Sequence, residues 1–308
     1  MATKRRPEPR AGAAGAARTM AGARARPRTG RRSPWLPVVA TVVVIAVAVG
    51  VFFLVRSATT PAQAPTLPGP AATQQVVESI TGIPASQLDQ VGAGTASSTI
   101  QPVVGNPQPL VGPTGKPEVL YVGAEYCPYC AAERWAMIIA LSRFGSFSGI
   151  RSMTSAADDV YPSTPTFTFH GATYQSQYVD FVAVETTTNV KGSDGQYQPL
   201  DPLTPAEQAL VNQYDGPPYT SSSGSIPFID FGNRYVMSGA TYQPDVIHGM
   251  SWSEIAQSLQ DPNSRQAKAI LGSANLLTAA ICKASGQQPA SVCSSPAISS
   301  LEAKLGGQ

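Results

Sequence analysis

Histidine is nearly absent. The 308-residue chain holds two, His170 and His248, and four cysteines, Cys127, Cys130, Cys282 and Cys293. Neither histidine lies near a cysteine in sequence, and Cys282 and Cys293 are spaced unlike any common zinc knuckle, so no metal site is expected. Also missing are a phosphate-binding loop, a nucleophile elbow and a calcium loop. No pair of carboxylates has a catalytic spacing; Asp158-Asp159 and the scattered acids read as a solvated surface. Trp135, Trp252 and the tyrosines read as core or rim. No internal repeat is found, and no cofactor is expected.

Charge is also sparse, at 13% of residues, and it is unevenly placed. Residues 1–34 carry ten Lys or Arg against one acid, Glu8. Residues 57–308 carry ten bases against eighteen acids. Between the two lies a stretch without any charge, WLPVVATVVVIAVAVGVFFLV, residues 35–55. At a rise of about 1.5 Å per residue it spans the roughly 30 Å hydrocarbon core of a bilayer. Trp35 suits one interface, Arg56 closes the other end, and the next base is Lys116. The expectation is a single transmembrane helix, with a disordered basic tail in the cytoplasm and the remainder outside it. A cleaved signal peptide is the competing reading, since Ala62-Gln63-Ala64 resembles a cleavage site. Pro65 directly after it, and the length of the apolar run, weigh against cleavage. Arg31-Arg32 fits a twin-arginine signal poorly. The basic tail has no aromatic residue before Trp35 and abuts the membrane, so anionic lipid is its expected partner, not nucleic acid.

Residues 56–75 are rich in Pro, Ala and Thr and read as a linker. The folded domain is expected over residues 76–300. Residues 76–91 suit a short helix or two. Residues 119–123, an apolar run after Pro117, read as a buried strand, and a helical pattern starts at Pro128 and stops near Gly145. Strands are expected at residues 166–169 and 178–184. A capped helix is expected over 203–214, and a hairpin over 226–236 turning near Gly232-Asn233. Two helices follow, over residues 251–259 and 264–282.

The chemistry-bearing motif is Cys127-Pro128-Tyr129-Cys130 at a strand-to-helix junction. A sulfur at a helix start sits at the positive end of the helix dipole, among unpaired N–H groups, and this stabilises thiolate. The second sulfur, one turn on, can close a disulfide with it. Cys127 is thus the expected nucleophile and Cys130 the resolving thiol. A structural disulfide between them is the bland alternative. Pro227, in Ser225-Ile226-Pro227-Phe228, stands at the start of an apolar strand 100 residues after Cys127. A cis bond there would present backbone to the dithiol; an ordinary trans edge proline is the alternative.

These features resemble the thioredoxin superfamily. Ala124-Glu125-Tyr126-Cys127 is similar to the thioredoxin Ala-Glu-aromatic-Cys run, and Cys-Pro-Tyr-Cys is the motif of dithiol glutaredoxins. The resemblance implies an α/β fold, a central mixed sheet flanked by helices. The long gap before Pro227 implies an insertion between the dithiol helix and the cis-proline strand, as in DsbA-like oxidases. The chain looks most like a membrane-anchored thioredoxin-like family of unknown function in bacteria and archaea. Residues 115–117, 123–135, 226–233 and the Cys282…Cys293 tail carry that likeness. One departure is notable. Six residues before the first cysteine, thioredoxins carry a buried acid; here Tyr121 stands there, with Glu125 nearby. This suits an oxidase, isomerase or slow exchanger better than a reductase.

Cys282 and Cys293 read as a structural disulfide, stabilising by about 3 kcal/mol in the chain-entropy model. A second redox pair relaying electrons is the sharper alternative. The functional expectation is a membrane-anchored extracytoplasmic thiol–disulfide oxidoreductase. It would act on thiols of secreted or envelope proteins, with a possible membrane redox partner. The alternative is a non-catalytic thioredoxin-like binding or scaffold module. A third reading is haem or copper-protein maturation.

Overall fold

A computed structural model of the chain describes residues 65–305. The expected basic tail, the transmembrane segment and residues 56–64 of the linker lie outside the described residues. Among the described residues no helix is long and apolar enough to cross a membrane.

In chain order the elements are helices α1 (Pro70–Thr81) and α2 (Ala85–Val91), then strands β1 (Gln101–Pro102) and β2 (Glu118–Gly123). Helix α3 (Pro128–Ser142) follows. Strands β3 (Gly145–Ser148), β4 (Arg151–Thr154), β5 (Pro165–Thr168), β6 (Thr173–Ser176), β7 (Asp180–Glu185), β8 (Thr187–Lys191) and β9 (Tyr197–Pro199) come next. Helix α4 (Pro205–Tyr214) leads to strands β10 (Phe228–Phe231) and β11 (Tyr235–Ser238). After a 3₁₀ turn at Pro244–Val246 come helices α5 (Trp252–Ser258), α6 (Arg265–Ala284), α7 (Ala290–Cys293) and α8 (Pro296–Leu305). Helix α1 begins at Pro70, inside the stretch read as linker, because proline suits a first helical turn.

The fold is mixed α/β, with a central mixed sheet flanked by helices. Five strands run in the order β1-β11-β10-β2-β7. Only the β2–β7 pair is parallel; Val119 faces Phe181 and Gly123 faces Glu185. Strand β2 is central and buried along its whole length, which is why it reads as a continuous apolar run. Its side chains alternate between the two faces. Val119 and Tyr121 join Ile229 and Phe231 in the larger core, with residues of α3 and α6. Leu120 and Val122 join Phe228, Val236 and Tyr214 of α4 in a smaller core on the other face.

Helix α3 is buried at every position except Tyr129 and Ser142. Its indole at Trp135 donates to the Pro165 carbonyl (2.9 Å), and Trp252 of α5 donates to the Thr166 carbonyl (2.6 Å). Both tryptophans therefore tie their helices to β5. Strands β3 to β6, β8 and β9 form three two-stranded sheets between α3 and β10. The β10–β11 hairpin turns through Gly232 and Asn233, both at positive φ (66° and 57°), a backbone that Asn and Gly adopt readily. Capping boxes at Thr204–Glu207 and Ser251–Glu254 start α4 and α5.

Candidate functional site: a buried dithiol at the start of helix α3

Cys127 is the N-cap of α3, and Pro128 is its first helical residue. The Cys130 N–H donates to Cys127 Sγ at 3.4 Å. The Cys127 thiol in turn faces the Ile226 carbonyl oxygen at 3.9 Å. Strand pairing explains that approach. Strand β10 runs antiparallel to β2 with Phe228 opposite Val122. One step further, this register sets Pro227 beside Gly123, where the chain leaves β2 for the dithiol. The Ile226–Pro227 peptide bond is cis. The sequence motif and the proline 100 residues later thus converge on one spot.

Both dithiol cysteines are free thiols. Cys127 is 5% exposed and Cys130 fully buried. Their environments push them apart. The Cys127 thiol is held below its usual range, chiefly by the hydrogen bond from the Cys130 side chain. Burial opposes this; backbone N–H groups of Cys130 and Tyr129 and the Arg134 charge add to it. Cys130 is raised well above its usual range, first by burial and then by Cys127 itself. Cys127 therefore ionises more readily than an ordinary cysteine and Cys130 less readily.

Around the mouth, Tyr126 stacks on Tyr197 with ring centroids 4.2 Å apart. Tyr129 and Tyr161 meet edge-on at 6.1 Å, and Tyr161 meets His248 at 6.2 Å. Glu125 accepts from the Thr168 hydroxyl at 2.6 Å.

Beneath the dithiol lie charges that sequence reasoning missed. Arg134 and Glu185 form a fully buried ion pair, bidentate at 2.8 and 2.7 Å. Arg134 also donates to the Ala124 carbonyl at 2.8 Å. The available signal was a Glu133-Arg134 pair inside an otherwise apolar helix. Glu133 is also fully buried, accepting from the Thr241 N–H (2.9 Å) and from the Thr241 and Ser273 hydroxyls.

These buried acids set a pH dependence. Burial raises the Glu133 carboxyl from 4.5 to about 7, against the pull of its Thr241 and Ser273 hydrogen bonds. Asp230 rises from 3.8 to about 7, also by burial; one oxygen accepts the Asn233 N–H at 2.6 Å and the other has no partner. Glu118 rises to about 7 through burial and the charges of Glu207, Asp230 and Asp180. A raised acid binds its proton more tightly when folded. Its stabilisation is therefore complete below the unfolded value and is lost as pH climbs through about 7. Urea unfolding is expected to show falling stability between pH 5 and 8, by up to about 3 kcal/mol for each of Glu133 and Asp230. Glu133→Gln should flatten the slope; an unchanged slope would refute the assignment to Glu133.

The other two cysteines are joined to each other, with Cα atoms 5.6 Å apart. Both are buried. They staple α7 to the end of α6, where Ala284 packs against Gly232. Gly232 follows the end of β10 remote from Pro227, so the staple and the dithiol occupy opposite ends of that strand. Among the described residues no three His, Cys, Asp or Glu side chains converge to hold a metal ion.

No curated protein and no solved structure matches the chain. A family model does match, over residues 103–283, a span that holds Cys127, Cys130, Pro227 and Cys282 and stops short of Cys293. The chain thus belongs to the DUF929 family, a domain of unknown function.

Proposed function

We propose that this chain is a thioredoxin-like thiol–disulfide oxidoreductase, anchored in a membrane by residues 35–55 with its dithiol outside the cytoplasm. The observation that carries the reading is the asymmetry of the pair. Cys127 caps a helix with a lowered thiol, while Cys130 is sealed below with a raised one. The Ile226 carbonyl, 3.9 Å from Cys127 Sγ, supports it further.

In the oxidising direction a substrate thiolate attacks the Cys127 sulfur of the disulfide, and Cys130 leaves as thiolate and takes up a proton. A second substrate thiolate then attacks the mixed disulfide at the substrate sulfur and expels Cys127. Substrate loses two electrons and two protons, and the dithiol gains them. The reverse sequence reduces a substrate disulfide. Direction depends on the relative stability of the two Cys127 states.

The test is equilibration of the full chain against glutathione and dithiothreitol buffers, read by thiol alkylation and mass. A reduction potential near roughly −120 mV makes the protein an oxidant of secreted or envelope thiols; one near roughly −270 mV makes it a reductant supplied across the membrane. The near-complete burial of Cys127 favours a second reading, a non-catalytic binding module. Failure to equilibrate with either reagent would select it.

A further inference from the structure

Two buried hydrogen-bond donors, the Tyr121 hydroxyl and Arg134 Nη1, have no partner of ordinary hydrogen-bond geometry, and the Cys130 side chain lies within reach of the Tyr121 hydroxyl. Both side chains are wholly buried. Orphaned donors of this kind are uncommon in folded proteins, because leaving one unmade costs its full desolvation. The remaining Arg134 nitrogens bind Glu185 and the Ala124 carbonyl.

Their placement is consistent. Tyr121 points to the α3 side of β2, in the core shared with that helix. Its hydroxyl lies where a Cβ on Gly123 would fall, directly below the turn into the dithiol. Arg134 is one helical turn beyond Cys130, on the same face of α3. Its guanidinium carbon is 6.0 Å from the Tyr121 ring centroid. Burial holds the Tyr121 phenol well above its ordinary value; the Arg134 charge opposes this, and Cys130 adds to it. The phenol therefore stays protonated and can donate.

Resting on the exchange reading, we propose that Tyr121, with the free Nη1 of Arg134, forms a donor pocket that holds the Cys130 sulfur while it carries negative charge. That charge exists in one step. With a mixed disulfide on Cys127, the Cys130 thiol releases its proton to solvent and the resulting thiolate attacks Cys127 Sγ. A Cys127–Cys130 bond forms, the bond to the substrate sulfur breaks, and the leaving thiolate takes a proton. Electrons and protons balance without any further reagent. Tyr121 acts as a positioning residue for the resolving thiol. No buried carboxylate is required at its place, because a neutral donor and a cation stabilise the thiolate instead of accepting its proton.

The test uses the reduced full chain in detergent with 5,5′-dithiobis(2-nitrobenzoate) as the probe disulfide. Cys127 attack releases one coloured thiolate, and resolution by Cys130 releases a second. Tyr121→Phe removes only the hydroxyl. The first phase should be unchanged. The second should slow by about three- to tenfold at neutral pH, since a lost charge-assisted bond lowers the thiolate fraction while greater basicity returns part of the rate. Its pH midpoint should move up by about one unit. A merely structural tyrosine would not shift that midpoint. Incorporating a fluorinated tyrosine at position 121 preserves shape, strengthens the donor and should shift the midpoint down. Two unchanged phases in Tyr121→Phe, with a biphasic wild type, overturn this inference alone. A wild type that releases no thiolate overturns the exchange reading, and this inference with it.

Discussion

Cys127→Ser will abolish exchange with protein and small-molecule disulfides, and Cys130→Ser will preserve the first attack and stall after it. The difference follows from what each sulfur can reach. Cys127 is the one with a residual opening to solvent, and its thiol is lowered by three donors and a cation. A hydroxyl in its place remains protonated and cannot attack a disulfide. Cys130 has no exposure, so it cannot meet a substrate directly. Its loss leaves Cys127 bonded to the first partner it captures. Non-reducing electrophoresis and intact mass after incubation with envelope extract should show adducts that persist in Cys130→Ser, turn over in the wild type and are missing in Cys127→Ser. Exchange by Cys127→Ser would sink the site assignment. The trapped species would also identify the substrates.

Breaking the Arg134–Glu185 pair should cost more stability than any other single charge deletion in the domain. Both side chains are fully buried and joined by two hydrogen bonds. Arg134→Ala or Glu185→Ala strands the opposite charge in a low-dielectric interior, which costs about 3–5 kcal/mol. For a domain of this size that lowers Tm by roughly 10 °C. Replacing both partners, as Arg134→Met with Glu185→Leu, removes the desolvation penalty together with the attraction. The double variant should unfold near the wild-type midpoint in urea. Single variants within about 1 kcal/mol of wild type would mean that water reaches the pair. The double variant separates stability from chemistry. It should fold normally yet resolve mixed disulfides more slowly, because the Arg134 charge that opposes the rise of the Cys130 thiol is gone.

The parts of the molecule legible in sequence are those governed by neighbours in the chain. The start of α3 followed from Pro128 after a buried strand, and the cap of α4 from Thr204 with Glu207 three residues on. The β10–β11 turn followed from Gly232-Asn233, two residues that tolerate positive φ. Helix α1 illustrates the limit. Its apolar period begins at Val76, but Pro70 starts the helix, and Thr73 is buried through a hydrogen bond to Ser152 (2.7 Å), far along the chain. No local pattern encodes that contact.

Sequence by itself determined where the two dithiol sulfurs stand: two cysteines one turn apart at a helix start, where unpaired N–H groups lower the Cys127 thiol. It also supplied Pro227 and the pairing of an apolar hairpin. Only the tertiary structure decided what surrounds them. Register between β2 and β10 brings Ile226 to Cys127, and the parallel pairing of β2 with β7 brings Glu185 to Arg134 across 51 residues of chain. Desolvation, Coulomb attraction and hydrogen bonding act through space, so the thiol asymmetry, the buried acids and the orphaned donor at Tyr121 arise only when strands distant in sequence close around one helix.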